Sequence, residues 1–164
     1  RINTPLRSFS EEMRSRGLVA GTRLLEQKSI VAHGELAWHL EVSEGTETIY
    51  VQRLRTANDA AVALEETYIP TAFCPNLLTH NLSSMDIERL LEEHYKFSTV
   101  RAEEFVTARF ATEWERTILE VGDEEIVLMV VERKVDGVGN QRIMYNRTLY
   151  RADRYILRFD LKRN

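Results

Sequence analysis

At 164 residues, with 43% hydrophobic and 29% charged residues, the chain has the composition of one soluble globular domain with a single core. No apolar run approaches the roughly 20 residues that span a bilayer, and from the residues at the start we expect no secretion leader. The net charge of −4 argues against nucleic-acid binding by this segment, and the single cysteine, Cys74, favours a reducing, cytoplasmic setting because no intrachain disulfide can form.

The chain begins with short elements. Residues 8–11, SFSE, match a capping box and Gly17 matches a C-terminal stop, so we predict a helix over residues 9–16. A strand over residues 22–31 and a second short helix over residues 32–40 follow. The alternation of these elements points to a mixed α and β domain.

A hairpin is predicted next, from a strand over residues 49–56 and a return strand over residues 61–69. Asn58 and Asp59 supply the turn, because their short side chains bond to nearby backbone and tolerate left-handed dihedral angles.

Arg53 and Arg55 lie two residues apart, so both side chains leave the same face of the first strand. A three-residue loop at 58–60 would place Glu65 directly opposite Arg53, whereas a two-residue loop would turn Glu65 to the other face. In the first register, two guanidinium groups and one carboxylate form a patch suited to a small anion with a hydrogen-bond donor. An ordinary surface ion pair is the alternative.

The second half of the chain continues the alternation of helices and strands. Residues 71–82 form its least regular part, and Ser83 and Ser84 are expected to cap the helix that comes next. The later predictions are a helix over 84–95, a strand over 100–110, a helix over 112–119, strands over 126–135 and 142–149, and a turn at 136–140.

An internal repeat supports this parsing. Residues 40–42, LEV, recur at 119–121, each time at the end of a short helix. A glycine, a strand with an arginine (Arg53 or Arg133), an aspartate-containing turn and a tyrosine-bearing strand follow in both places. Two such units joined edge to edge predict an α+β fold, with one antiparallel sheet flanked by helices.

Catalytic and metal-binding motifs are weak. The histidines lack paired metal-ligand spacing, and neither a nucleophile elbow nor a glycine-rich phosphate loop occurs, so we expect no metal and no cofactor. Trp38 and Trp114, at corresponding places in the repeat, are interpreted as core or interface anchors rather than a stacking platform for bases. The acidic pair Glu103 and Glu104 is interpreted as part of a solvated face.

Several segments in order resemble the UTRA domain, the effector-binding half of GntR-type bacterial repressors of the HutC subfamily. They are PLRSFSEEMRSRGL at 5–18, QRLR at 52–55, ALE at 63–65, YIP at 68–70 and LYRADRY at 149–155. The resemblance implies a chorismate-lyase-like fold, with an antiparallel sheet of about six strands flanked by helices and enclosing a pocket. It also implies a homodimer and an N-terminal winged helix-turn-helix domain that binds operator DNA and is absent from this segment.

By resemblance, Arg53, Arg55 and Glu65 match the family's ligand-binding arginines and glutamate. Phe9 and Ser10 fall where relatives offer donors to the anionic group of the ligand.

Tyr150 matches a pocket tyrosine, and three other positions depart from relatives that bind sugar phosphates. Asp86 and Glu88 stand where those relatives usually have serine and tyrosine, and Met144 stands where they have a glutamate. Asp86 would repel a phosphate dianion, and Met144 adds apolar surface. We therefore expect an amino-acid-like or other carboxylate ligand rather than a sugar phosphate.

The function predicted from the sequence is effector sensing in a transcriptional repressor, by a single domain over residues 1–164 that binds a small anionic or zwitterionic metabolite. Two alternatives are a chorismate-lyase-like enzyme and a pure dimerisation domain with a vestigial pocket. Against the enzyme stands the lack of a clear acid and base pair.

Overall fold

The structure, a computed structural model, describes residues 2–3 and 9–163. Short 3-10 turns lie at Thr71–Phe73, Leu77–Thr79 and Val138–Asn140. The helices and strands of the described residues are, in chain order, β1 (Ile2–Asn3), α1 (Phe9–Ser15), β2 (Ala20–Ala32), α2 (Gly34–Leu40), β3 (Thr46–Ala57), β4 (Ala60–Pro70), α3 (Ile87–Glu93), β5 (Arg101–Phe110), α4 (Glu113–Ile118), β6 (Val127–Asp136), β7 (Arg142–Arg151) and β8 (Lys162–Arg163).

Six strands form one antiparallel sheet in the order β2-β3-β4-β7-β6-β5. The first three strands come from the first half of the chain and the last three from the second half, and the halves meet at the β4–β7 pair. This arrangement confirms the α+β fold and the edge-to-edge joining of two repeated units. The β1–β8 ribbon, two residues in each strand, was not predicted from the sequence.

The helices cover both faces of the sheet. Helix α3 packs its buried stripe of Ile87, Leu90 and Leu91 against the face that carries Val51 and Ile69. Helix α1 covers another part of this same face, since Met13 packs beside Ala63.

Helices α2 and α4 lie on the opposite face of the sheet. Leu40 of α2 packs near Tyr145. Leu119, directly after α4, packs against Leu54 and Leu64. The alternation of side chains along each strand therefore supplies two cores.

The helix predicted over 84–95 is shorter than expected, and its predicted caps are wrong. It begins at Ile87 because Asp86 is the N-cap, with its backbone in the extended region and its Oδ1 accepting the N–H of Arg89 at 3.3 Å. A carboxylate at the N-cap satisfies a helix N–H that would otherwise lack a partner. Asp86 therefore takes the role that was assigned to Ser83 and Ser84.

The other predicted ends are close to those observed. Gly17 follows the last turn of α1 and adopts a positive φ of 72°, as expected of a residue that ends a helix. The first predicted capping residue, Ser8, lies outside the described residues. Thr112 and Glu115 form a reciprocal capping box at the start of α4.

Trp38 and Trp114 are 70% and 52% exposed. The core alternative for these tryptophans is therefore wrong, and their role at an interface stays a prediction. Within the described residues, no helix has the length and apolar character needed to cross a bilayer.

Candidate functional site

The β3–β4 hairpin places Glu65 directly opposite Arg53, as the first register predicts. The predicted three-residue loop is wrong, because the turn consists of Asn58 and Asp59 alone, both at positive φ (48° and 64°). Two such residues form the tight turn that suits the twist of paired strands. The pairing then skips Val62, so a β-bulge supplies the one-residue shift that the longer loop would have given.

A cavity of about 110 Å³ lies on the face of the sheet that α1 and α3 cover. Of the nine predicted effector-binding residues, Ser10 lies in α1 but does not line this cavity. The other eight do: Phe9, Arg53, Arg55, Glu65, Asp86, Glu88, Met144 and Tyr150. The lining residues that were not predicted are Thr67, Ile87, Glu104, Arg133, Asn146 and Thr148.

Arg53 is held by the protein itself. Its Nε donates to Oε1 of Glu65 at 2.9 Å, and Nη2 donates to the same oxygen. Its Nη1 donates to the backbone carbonyls of Leu82 and Met85, at 3.1 and 2.6 Å. These bonds occupy most of the donors of a guanidinium group. Arg53 therefore fastens the segment that carries Leu82 and Met85 to the sheet.

Arg55 retains donors that the protein does not use. Its Nη1 donates to Oε2 of Glu65 at 3.0 Å, and its guanidinium carbon lies 4.5 Å from the centre of the Phe9 ring. Among the described residues its Nε has no hydrogen-bond partner, although Arg55 is only 6% exposed. A buried donor without a partner destabilises a protein, so an acceptor placed in the cavity beside this group would be stabilising.

The charge state of Glu65 follows from these two arginines. Burial alone would raise the pKa of Glu65, but the attraction and hydrogen bonds of Arg53 and Arg55 outweigh it, and the pKa falls below its ordinary value. Burial also lowers the pKa of Arg55, which the Glu65 carboxylate opposes. The group is therefore a buried ion cluster with more positive than negative charge.

Residues 82–88, here called the roof segment, cover the cavity and lead into α3. Arg53 holds this segment through the carbonyls of Leu82 and Met85. Asp86 and Glu88 project from it into the cavity lining. The position of both carboxylates therefore depends on how the roof segment is fastened to the sheet.

Arg133 is the main feature that sequence reasoning missed. Its Nε and Nη2 donate to the two oxygens of Glu88, at 2.6 and 3.2 Å, and its Nη1 donates to Oε1 of Glu104 at 2.8 Å. Burial lowers the pKa of Arg133, but the hydrogen bonds and negative charges of Glu88 and Glu104 raise it by a larger amount. The net shift of the pKa is therefore upward. Glu104, interpreted as part of a solvated face, is only partly so, since it also lines the cavity.

A signal for Arg133 was present in the repeat, which aligned it with Arg53. The two arginines do hold matching positions, since Arg53 pairs with Glu65 on β4 and Arg133 pairs with Asn146 on β7.

Met144 and Tyr150 supply apolar surface. Met144 is 2% exposed, and the ring of Tyr150 stacks on Tyr155 with a centroid separation of 4.1 Å. Burial raises the pKa of the Tyr150 hydroxyl, so it stays protonated and able to donate.

Ion pairs engage most of the charged side chains of the cavity lining. A general acid or base that works near neutral pH needs a pKa shifted towards 7, whereas the pKa of Glu65 is shifted downwards. Glu88 and Glu104 are engaged by Arg133. The lining therefore offers fixed charges and hydrogen-bonding groups.

Comparison with known families and proteins agrees with this architecture. The family model described as the UTRA domain matches residues 15–156. The transcriptional repressor NagR of Bacillus subtilis is 29% identical over 150 residues, which cover 92% of this chain and 61% of that protein. The repressor of mannosyl-D-glycerate transport and metabolism of Escherichia coli, MngR, is 27% identical over 152 residues, covering 92% of this chain and 62% of that protein. The chain thus spans about three fifths of the length of these curated relatives.

Two solved structures share the fold. The effector domain of PhnF from Mycobacterium smegmatis superposes with a TM-score of 0.82 at 23% identity, covering 92% of this chain and 93% of that one. The C-terminal domain of the histidine utilization repressor from Pseudomonas syringae gives a TM-score of 0.79 at 18% identity, covering 88% of this chain and 99% of that one.

Proposed function

Because the chain belongs to the UTRA domain family, we propose that it is the effector-sensing domain of a bacterial transcriptional repressor. A small anionic or zwitterionic metabolite binds in the cavity and alters DNA binding by a winged helix-turn-helix domain elsewhere in the protein. The observation that carries this proposal is Arg55, a buried guanidinium in the cavity wall whose Nε lacks a partner within the part of the chain that the structure describes.

Several features support the rest of the proposal. The curated relatives are named as repressors and are longer than this chain, which leaves room for a DNA-binding domain. The net charge of −4 disfavours phosphate contacts by this domain itself. We place the whole protein in the cytoplasm as a homodimer, where a ligand shifts the equilibrium between two arrangements by its differential affinity for them.

The rival function is a chorismate-lyase-like enzyme. Named relatives that are repressors favour a regulator. The downward pKa shift of Glu65 also disfavours acid or base catalysis in the cavity. Incubation of the protein with chorismate separates the two functions, because only the enzyme releases pyruvate.

A thermal-shift screen against carboxylates, amino acids and sugar phosphates tests the sensing function. A ligand at about 100 times its dissociation constant adds roughly 2.7 kcal/mol to the free energy of unfolding. For the ligand found, Arg55→Ala is expected to weaken binding by about 1.5–3 kcal/mol in calorimetric titration, the range for charge-assisted hydrogen bonds.

The matched control is Arg89→Ala. It removes the same charge from an exposed position on α3, where Arg89 pairs with Glu93, and we expect unchanged affinity. If no compound in the whole screen binds, the result favours the vestigial-pocket alternative. Equal affinity of the wild type and Arg55→Ala would refute the assigned site.

A further inference from the structure

The ion-paired side chains in the two halves of the cavity carry opposite net charge. On β3 and β4, the guanidinium groups of Arg53 and Arg55 face the single carboxylate of Glu65. On the β6 side, the single guanidinium of Arg133 faces two carboxylates, those of Glu88 and Glu104. One half is therefore positive by one charge and the other is negative by one charge.

The pseudosymmetry of the sheet shows how this polarity arises. Arg53 and Arg133 hold equivalent positions, but the residue opposite Arg53 is Glu65 and the residue opposite Arg133 is Asn146. In the second half the carboxylates come instead from the roof segment and from the edge strand β5, as Glu88 and Glu104. The same backbone framework thus carries different charged side chains in its two halves.

Each half has hydrogen-bonding groups that the described residues leave unused. The Nε of Arg55 is a buried donor with no partner in residues 2–3 and 9–163. In the other half, Arg133 donates to Oε1 of Glu104, and no described residue donates to the second oxygen of this carboxylate. A carboxylate accepts through both oxygens, and a primary ammonium offers three donors. Asp86 of the roof segment also lines the cavity and attracts Arg55, so it adds one negative charge beside the ion pairs.

From these charges we infer that the effector is a zwitterion, held with its carboxylate on Arg55 and its primary ammonium between Glu88 and Glu104. This inference rests on the proposed sensing function and assigns Glu104 as the residue that selects for the ammonium group. A cavity of about 110 Å³ is smaller than the roughly 150 Å³ cavity that holds a benzene molecule. That size fits an amino acid better than a sugar phosphate.

Matched pairs of probes test the inference by calorimetric titration. The amino acids are the proteinogenic L-amino acids together with β-alanine, γ-aminobutyrate, δ-aminovalerate and ε-aminocaproate, each compared with the carboxylate that lacks the amino group. Glucosamine-6-phosphate is the sugar-phosphate probe. At least one amino acid is expected to bind about tenfold more tightly than its partner carboxylate.

Three variants assign this preference to its groups. Glu104→Gln is expected to reduce the tenfold preference to about one by weakening the binding of the amino acid, while the plain carboxylate binds at least as tightly as before because like-charge repulsion is relieved. Arg55→Ala is expected to weaken both members of the pair. Glu103→Gln is the matched control, since Glu103 is the neighbour on β5, pairs with Arg101 and does not line the cavity; it is expected to keep the preference.

The outcomes separate this inference from the sensing function. The inference is overturned by equal binding of every amino acid and its partner, by a preference that survives Glu104→Gln, or by the binding of no probe. Tight, Arg55-dependent binding of glucosamine-6-phosphate without any response to amino acids would overturn the zwitterion and leave effector sensing intact. Sensing itself falls only when the broader metabolite screen also yields no ligand.

Discussion

Arg53 and Arg133 occupy equivalent positions in the two halves of the sheet, and both hold the roof segment. Arg53 lies on β3 and binds two backbone carbonyls of that segment, those of Leu82 and Met85. Arg133 lies on β6 and binds the side chain of Glu88 through two hydrogen bonds. The roof segment therefore joins the two halves, and a ligand that competes for either arginine changes how it is fastened.

The two arginines of β3 are expected to differ in their contribution to folding. Arg53→Ala removes the partner of two roof carbonyls and leaves Glu65 with one arginine, so we expect a loss of about 3–5 kcal/mol, as for a broken buried ion pair. Arg55→Ala leaves Glu65 bound to Arg53 and should cost about 1 kcal/mol. Urea unfolding of both variants measures the difference. Equal losses would show that Arg53 has no special structural role.

The turn between β3 and β4 gives a second prediction. Asp59 has a φ of 64°, a conformation that glycine adopts freely and that costs a β-branched residue about 1–2 kcal/mol. Asp59→Gly should leave the free energy of unfolding unchanged or slightly higher, whereas Asp59→Val should lower it by that amount. A tolerated valine would mean that the turn can adopt another conformation.

Much of the fold followed from local patterns, and the hairpin shows where these patterns are insufficient. Asn58 and Asp59 marked the turn because their side chains suit positive φ. The bulge at Val62 has no comparable signal, since an extra valine in a β-strand looks like any other strand residue. The pairing of Arg53 with Glu65 was thus predicted correctly through the wrong loop length.

From residue spacing alone, the candidate site was predicted only in its first half, for a similar reason. Arg53, Arg55 and Glu65 lie on neighbouring strands of one hairpin, so their separation in the sequence fixes their separation in space. Arg133 and Glu88 are 45 residues apart and meet through the packing of α3 on the sheet. Only the internal repeat hinted at Arg133, and no local pattern pointed from it to Glu88.

The variant Asp86→Ser tests whether Asp86 makes the cavity disfavour phosphate ligands. Asp86→Ser removes a negative charge from the cavity lining, yet serine is as good an N-cap as aspartate, so α3 should keep its start. We expect weaker binding of the zwitterionic ligand and stronger binding of glucosamine-6-phosphate, because like-charge repulsion is relieved. Calorimetric titration of both ligands measures this change. Unaltered phosphate affinity would show that Asp86 does not set the ligand class.

Dimerisation is expected from the family resemblance and from a sheet whose outer strands, β2 and β5, need cover or pairing. A two-fold interface places one patch against its own copy. Light scattering at micromolar concentration should therefore give about twice the chain mass of 19.1 kDa. A strictly monomeric result would assign the association to the DNA-binding domains or their operator.

Glu115 gives the pH dependence of folding. Hydrogen bonds from Arg109, at 2.6 and 2.8 Å, together with the N–H of Thr112, lower the pKa of this carboxyl from 4.5 to about 2 despite its burial. Because the folded-state pKa lies below the unfolded one, the stabilisation is complete above about pH 4.5 and is lost as the pH falls towards 2.

Glu115→Gln should therefore lower the free energy of unfolding at pH 7 by about 1.5–3 kcal/mol, the range for hydrogen bonds to charged groups. The difference from the wild type should shrink steadily between pH 4.5 and 2, because protonation removes the same charge from the wild-type carboxyl. Urea unfolding at a series of pH values measures it. Glu113→Gln, at an exposed position of the same helix turn, should show little change at any pH. A pH-independent loss in Glu115→Gln would mean that Glu115 acts through its shape and neutral hydrogen bonds rather than its charge.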